Sequence, residues 1–281
     1  CVFATSTQGL IAPVYAADIV IDTPETAPVI LTEDSTVTVT NTGSLIVTSG
    51  TAIFSGAFDS VITLNGPVSA TFAGFVTTVA QTGVTNALSI GPGGIVTASG
   101  ASFARGILQN DATISANNTA TLGAGSIVDV ESVGTAVGIA QRSTINYLSA
   151  NGARINVLGD DFSLGIYMRD VTDTLIFNNS SLNVESLTDD AIGIDMASNL
   201  ATMATIGSGS RINVISNTAL ASGLALVDDG SALDLAIGRN AKINVTGATE
   251  GVGILAAIET GDANIDYNVE DFDRDIQNYE G

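Results

Sequence analysis

Carboxylates are the side chains of this sequence that are best placed to do chemistry, because several occur in pairs. Asp160-Asp161 and Asp189-Asp190 recur 29 residues apart, so we expect them to form one acidic patch. Glycoside hydrolases place two carboxylates across the scissile bond, and such an acidic patch could supply them. The competing interpretation is a pair of solvated turns, since Asp favours turns and keeps sheets soluble. We favour the solvated turns.

Residues that other catalytic sites need are missing from the chain. It has no His and a single Cys, Cys1, which excludes Cys–His nucleophiles, Ser–His–Asp triads and the usual zinc sites. Lys and Arg number only 8 and are scattered, which argues against a lyase that stabilises a carbanion with cations. Phosphate-loop and EF-hand spacings are absent. We predict that the protein is not an enzyme and carries no cofactor and no metal; a polysaccharide-degrading enzyme using the paired Asp residues, or Ca²⁺ held by them, are the alternatives.

The charge and composition limit the class of partner and of fold. The 281 residues include 29 acidic ones and carry a formal net charge of −21, which repels phosphate backbones, so we predict no nucleic-acid partner. Hydrophobic residues make up 45% of the chain, whereas disordered chains are poor in them. Short β-branched stretches between Gly, Ser, Thr and Asn favour strands joined by tight turns. The composition therefore predicts an all-β fold.

A repeat runs through most of the chain. Its clearest piece is a polar residue between two aliphatic ones, as in Ile155-Asn156-Val157, and its copies are 27 to 31 residues apart. About ten residues later comes Gly followed by an aliphatic residue, as in Gly165-Ile166, and each copy is preceded by a strand that ends in a corner of small residues. The central polar residues of five copies form one column: Asp129, Asn156, Asn183, Asn213 and Asn244.

Three strand-like pieces per repeat are typical of a stacked coil. Period-two alternation turns Ile155 and Val157 to one side and Asn156 to the other. We therefore predict a parallel β-helix, or β-solenoid, with three short strands per coil of 26 to 32 residues, in which Gly and Asn at the corners adopt positive φ. The Asn/Asp column is interpreted as a structural ladder of hydrogen-bonded side chains, with ligand binding as the alternative.

The repeat also suggests the domain organisation. We expect residues 1–16 to be the remnant of an export signal ending at Val14-Tyr15-Ala16; an apolar first strand and a lipoprotein start at Cys1 are the alternatives. Residues 17–35 contain Pro24 and Pro28 and are predicted to cap the fold. The solenoid spans 36–266, with an uncertain register before residue 90, and 267–281 is an acidic cap, a linker or a truncation point.

These motifs resemble the passenger regions of Gram-negative autotransporters and related pectin-lyase-like β-helical adhesins. The resemblance rests on the export-like Pro13 to Ala17, the alternating Val37 to Leu45 and corners such as Thr121 to Ser126. It implies secretion, an extracellular or outer-membrane location and a role as adhesin or structural scaffold. Expected partners are glycans or host or sister-cell surface molecules. Family members carry a carboxy-terminal outer-membrane barrel. We expect this sequence to be an amino-terminal fragment that lacks the barrel; the alternative is a protein that reaches the cell surface by another route.

Overall fold

The computed structural model describes residues 18–32, 34–110, 116–228, 232–258 and 262–267. Within these ranges the chain is all-β and winds into a parallel solenoid, as the repeat predicts. Each coil contributes three strand positions, which we call faces 1, 2 and 3 in chain order. Parallel coils stack about 4.8 Å apart, so equivalent residues form columns along the solenoid. No helix long and apolar enough to cross a membrane occurs in the described ranges.

Face 2 is a separate nine-stranded sheet in which every strand pairs in parallel with its counterpart in the neighbouring coils. Its strands are β2 (Pro24–Glu25), β5 (Ser44–Val47), β8 (Pro67–Phe72), β11 (Ile95–Gly100), β14 (Ile127–Ser132), β16 (Arg154–Gly159), β18 (Ser181–Ser186), β20 (Arg211–Ser216) and β23 (Lys242–Gly247).

Faces 1 and 3 belong to one 16-stranded sheet because they become continuous in the later coils. Face 1 contains β1 (Ile19–Ile21), β4 (Ser35–Val39), β7 (Asp59–Leu64), β10 (Thr85–Ile90), β13 (Asn117–Leu122), β22 (Ala232–Ile237) and β25 (Asp262–Tyr267). Face 3 contains β3 (Val29–Leu31), β6 (Thr51–Ser55), β9 (Phe75–Gln81), β12 (Phe103–Asn110), β21 (Leu220–Asp228) and β24 (Glu250–Ile258).

Three long strands pass from face 3 of one coil directly into face 1 of the next. They are β15 (Thr135–Asn151), β17 (Ser163–Asn178) and β19 (Ala191–Ile206). The first part of β15 pairs with β12 and its second part with β13. In these coils the chain therefore bends without leaving the ladder, where the sequence had predicted two short strands.

The amino-terminal segment that the sequence predicts as a cap supplies strands of the same stack. β1, β2 and β3 pair in parallel with β4, β5 and β6. Ile19 pairs with Val37, only 18 positions later, so this coil is shorter than the others. The proposed signal remnant at residues 1–16 and the acidic tail after Tyr267 lie outside the described residues.

The corners between face 1 and face 2 explain the Gly and Asn of the sequence motif. Six successive corners each place one residue at a positive φ of 45° to 84°. Gly tolerates this conformation without steric cost and Asn tolerates it better than most other residues. The residues are Gly93, Gly125, Gly152, Asn179, Gly209 and Asn240.

The interior is a set of apolar columns that runs the length of the solenoid. One column on face 1 continues through Val37, Ile62, Leu88, Ala120, Leu148, Leu175, Ala204 and Leu235. All of its members are buried in one continuous core cluster. Since a single coil buries little apolar surface alone, this stacking is the main stabilising interaction between coils.

Glycines of the Gly-aliphatic motif mark a close approach of face 3 to face 2. An added Cβ at Gly165 would lie 2.4 Å from the carbonyl oxygen of Gly193 and 2.8 Å from methyl groups of Leu182 and Val184. These are interior side chains of face 2. The motif therefore recurs because face 3 has no room for a side chain at this position.

Candidate functional site

The paired Asp residues lie in the corner loops between face 2 and face 3. Asp160 and Asp161 follow β16, and Asp189 and Asp190 follow β18 in the next coil. The two loops are in contact, since the amide of Thr188 donates to the Asp160 carbonyl oxygen at 2.7 Å and its hydroxyl donates to Asp161 Oδ1 at 3.3 Å. The four Asp residues therefore do lie on one corner of the solenoid.

Two of these Asp side chains accept hydrogen bonds from backbone amides of the loops. Asp189 Oδ1 accepts a hydrogen bond from the Asp190 amide at 2.9 Å, and Asp190 Oδ1 accepts one from the Leu220 amide of the following coil at 3.0 Å. Carboxylates that accept from backbone amides are typical of turns. In the described ranges, no group of three or more His, Cys, Asp or Glu side chains is placed to hold a metal ion.

The Asn/Asp column lies on the outer surface of face 2 and forms one directed ladder of hydrogen bonds. Each side-chain amide donates to the side-chain oxygen of the preceding coil. The distances are 2.7 Å from Asn244 to Asn213, 2.8 Å from Asn213 to Asn183, 2.9 Å from Asn183 to Asn156 and 3.3 Å from Asn156 to Asp129. An Asn amide has two N–H groups, so each rung keeps a second donor for another partner.

The ladder forms the floor of an open groove of about 510 Å³ along face 2. A second column, beside the ladder, has alternating acidic and apolar side chains in its middle and a hydroxyl side chain at each end. It consists of Ser99, Glu131, Leu158, Glu185, Ile215 and Thr246. Leu158 and Ile215 are 36% and 38% exposed. The groove therefore offers amide groups and apolar contacts that repeat at the coil spacing.

Cations border the ladder on its other side. Arg154, Arg211 and Lys242 occupy one column, with Ser181 between the first two. Arg154 Nε donates to Asn156 Oδ1 at 3.1 Å, which ties this column to the ladder. The three cations on this side are balanced by Glu131 and Glu185 on the opposite side and by Asp129 in the ladder, so the groove carries no large net charge.

Comparison with known proteins identifies no relative of this chain. No protein-family model, no curated protein and no solved structure matches the chain. The function is therefore inferred from the residues and their arrangement.

Two further ladders lie inside the solenoid, where the alternation of polar and apolar residues predicts only apolar side chains. Gln141 donates to Gln109 at 2.6 Å and Gln109 to Gln81 at 2.9 Å. All three are fully buried, where each face 3 strand bends towards face 1. The signal was present in the sequence, since Gln109 and Gln141 each follow a Gly-Ile motif by two residues.

The second interior ladder runs through asparagines and ends at an aspartate. Asn86 donates to Asn118 at 2.9 Å, Asn118 to Asn146 at 3.0 Å, and Asn146 to Asp173 Oδ1 at 2.8 Å. Its bonds point towards the carboxy terminus, opposite to those of the glutamine ladder. Asp173 terminates it because an Asp side chain, unlike Asn, has no N–H to donate.

Asp173 is the buried acid of this interior. It is 0% exposed, and its Oδ2 has no hydrogen-bond partner among the described residues. Burial raises the pKa of Asp173 to about 7; the hydrogen bond from Asn146 opposes this, while Asp170 and Asp195 add to it and Arg169 opposes it. In the coil of Asp173, Met168 occupies the position that Gln141 has in the preceding coil. Asp173 therefore lacks the polar glutamine neighbour that the asparagines of the preceding coils have.

Proposed function

We propose that this protein is a secreted bacterial surface solenoid that acts as an adhesin or structural scaffold and binds extended glycans along face 2. The observation that carries this proposal is the groove over the asparagine ladder. Its donors recur with every coil, so one polymer contacts many equivalent groups. Many weak equivalent contacts along one chain give avidity without a deep pocket.

The chemistry of the groove favours a neutral polysaccharide. Amides that keep one free N–H can donate to sugar hydroxyls, and Leu158 and Ile215 supply apolar contacts for the faces of sugar rings. The acidic column and the basic column lie on opposite sides of the ladder, so neither charge dominates its centre. A strongly anionic polymer would also meet the repulsion of a chain with net charge −21.

The assignment to autotransporter passengers and related adhesins, with a cell-surface location, is part of this proposal. It rests on the sequence motifs, and the parallel solenoid is consistent with it. The contrasting activity is cleavage of a polysaccharide by the paired Asp residues. The hydrogen bonds that Asp189 and Asp190 accept from backbone amides favour a structural role for these carboxylates instead.

Incubation with immobilised neutral and acidic polysaccharides distinguishes binding from cleavage. We expect retention of the protein on at least one neutral polysaccharide, without release of new reducing ends. Reducing ends that disappear in the Asp189→Asn, Asp190→Asn variant would contradict the proposal and identify the acidic loops as an active site. An Asp59→Asn variant is the matched control, because it makes the same chemical change at an exposed position on face 1, away from these loops and from the groove.

A further inference from the structure

A small pocket on the outer surface of face 3 carries an unusual concentration of positive charge for so acidic a chain. It has a volume of about 250 Å³, and its lining includes Arg105, Leu108, Asn110, Arg142, Leu164 and Tyr167. The pocket thus holds two of the 8 basic residues of the whole sequence. It lies on a different face from the asparagine groove and is independent of the function proposed for that groove.

The two arginines of this pocket have no acidic partner among the described residues. A salt bridge joins Arg169 to Asp195 at 3.1 Å, beyond Tyr167. Asp195 therefore compensates the charge of Arg169, whose guanidinium lies over the Tyr167 ring at 5.0 Å. Among the described residues, no acidic side chain pairs with Arg105 or Arg142 in this way.

Arg105 is held in place by its surroundings. Its guanidinium lies 4.8 Å from the centre of the Phe103 ring, and its Nε is buried with no hydrogen-bond partner in the part of the chain that the structure describes. Burial lowers the pKa of Arg105, Tyr167 raises it, and the neighbouring charge of Arg142 lowers it. Because Nε is buried, an anion in the pocket would accept from the terminal nitrogens of the Arg105 guanidinium.

The shape and the remaining lining limit the ligand. The volume is below the range of sites for drug-sized molecules, and it suits a single ring or a compact group. Leu108 and Leu164 provide apolar walls, while Asn110 and Tyr167 provide polar groups that a hydroxyl can bond. A free inorganic anion would use the arginines but would leave the apolar walls without contact.

We infer that this pocket binds the carboxylate of an acidic sugar residue, with Arg105 and Arg142 as its cationic partners. Arginine pairs carboxylates through two parallel hydrogen bonds, and the ring of the sugar contacts Leu108 and Leu164. The pocket has room for one sugar residue. It therefore binds the end of a chain or a single substituent, and it does not bind along a polymer.

Ligand-observed NMR with glucuronate, glucose and inorganic phosphate tests this inference, because the first two differ only in the carboxylate. We expect binding of glucuronate, with no response from glucose and a weaker one from phosphate. Arg142→Gln is the first variant, since Arg142 is exposed and its loss leaves the core intact. It is expected to weaken glucuronate binding about tenfold or more, as the loss of a charge-assisted hydrogen bond does, and Arg105→Gln to do the same.

The matched control is Arg154→Gln, which removes the same charge from the border of the groove on face 2. It is expected to bind glucuronate as the unaltered protein does. Equal binding of glucuronate by Arg142→Gln and the unaltered protein would overturn the inference. So would equal responses to glucose and glucuronate, or a phosphate response as strong as that to glucuronate. Since none of these results depends on neutral polysaccharides, failure here is distinguishable from failure of the function proposed for face 2.

Discussion

Replacement of Gly165 by alanine is expected to lower the free energy of unfolding by about 3 kcal/mol, the upper part of the usual range for overpacking. The added methyl group would lie 2.4 Å from a backbone oxygen of the next coil and 2.8 Å from Leu182 and Val184. Neither β17 nor β18 can withdraw without breaking its ladder to both neighbouring coils. Urea unfolding followed by circular dichroism measures the effect as a lower midpoint.

Gly253 provides the control, because it occupies the same motif in β24 but has no atom of the described residues within 4 Å of an added Cβ. Gly253→Ala is expected to leave the midpoint unchanged or to raise it slightly, since Ala loses less backbone entropy than Gly on folding. Hydrogen exchange of the β24 amides verifies that this coil is folded under the conditions compared. Equal midpoints for the two variants would show that face 3 does not approach face 2 as closely as described.

Asp173 is expected to make the stability of the protein fall as the pH rises through the weakly acidic range. Its pKa is about 7 in the folded chain, against an ordinary value of 3.8, so the folded state holds a proton that the unfolded state has released. Stability contributed by this proton is present in full below about pH 4 and is lost by pH 7 to 8. By linkage the loss is up to about 4 kcal/mol.

Comparison with Asp173→Asn isolates this contribution from the other carboxylates. The amide cannot ionise, so the variant is expected to match the unaltered protein near pH 4 and to exceed it in stability above pH 7. Its side-chain oxygen still accepts the hydrogen bond from Asn146. Urea midpoints measured from pH 4 to pH 8 give the difference. A difference that does not change with pH would mean that Asp173 is not buried as a neutral acid.

Asp129→Asn is the control for the replacement of a carboxyl group by an amide. Asp129 is exposed at the end of the outer ladder, where solvent screens its charge. Its replacement is expected to change the midpoint little at any pH. A pH-dependent difference of the same size in both variants would assign the effect to overall charge rather than to burial.

The sequence predicts the solenoid because the residue types of its repeat are set by the backbone conformation at each position. Corners such as those at Gly125 and Gly209 need positive φ, and the residues that tolerate this are few. The Ile-Asn-Val copies fixed the register of face 2 for the same reason: a shift by one residue would turn every aliphatic side chain outward. Before residue 90 the register was less clear, because the first strands have only two to five residues and the first coil is short.

The interior polar ladders could not be predicted from the sequence, because the alternation of polar and apolar residues in a strand predicts that polar side chains point outward. Gln109 and Asn118 face inward near a bend, where side chains of successive coils satisfy one another. Each such side chain is polar when read alone and becomes compatible with the core only when the coils above and below supply partners. The arginine pocket could not be predicted for a related reason, since Arg105 and Arg142 are far apart in sequence and meet only through the stacking of β12 and β15.

The central claim is that face 2 binds a polysaccharide along its groove, and two exposed apolar residues in that groove allow the most direct test. The variant Leu158→Lys, Ile215→Lys places two long charged side chains beside the ladder without touching the core. Its control is Val61→Lys, Ile145→Lys, which makes the same changes at two positions that are each 47% exposed on face 1. The measurement is retention on the polysaccharide that holds the unaltered protein. We expect the groove variant to bind at least about tenfold more weakly, a loss of about 1.4 kcal/mol, and the control to bind normally. Equal retention of both variants would contradict the account.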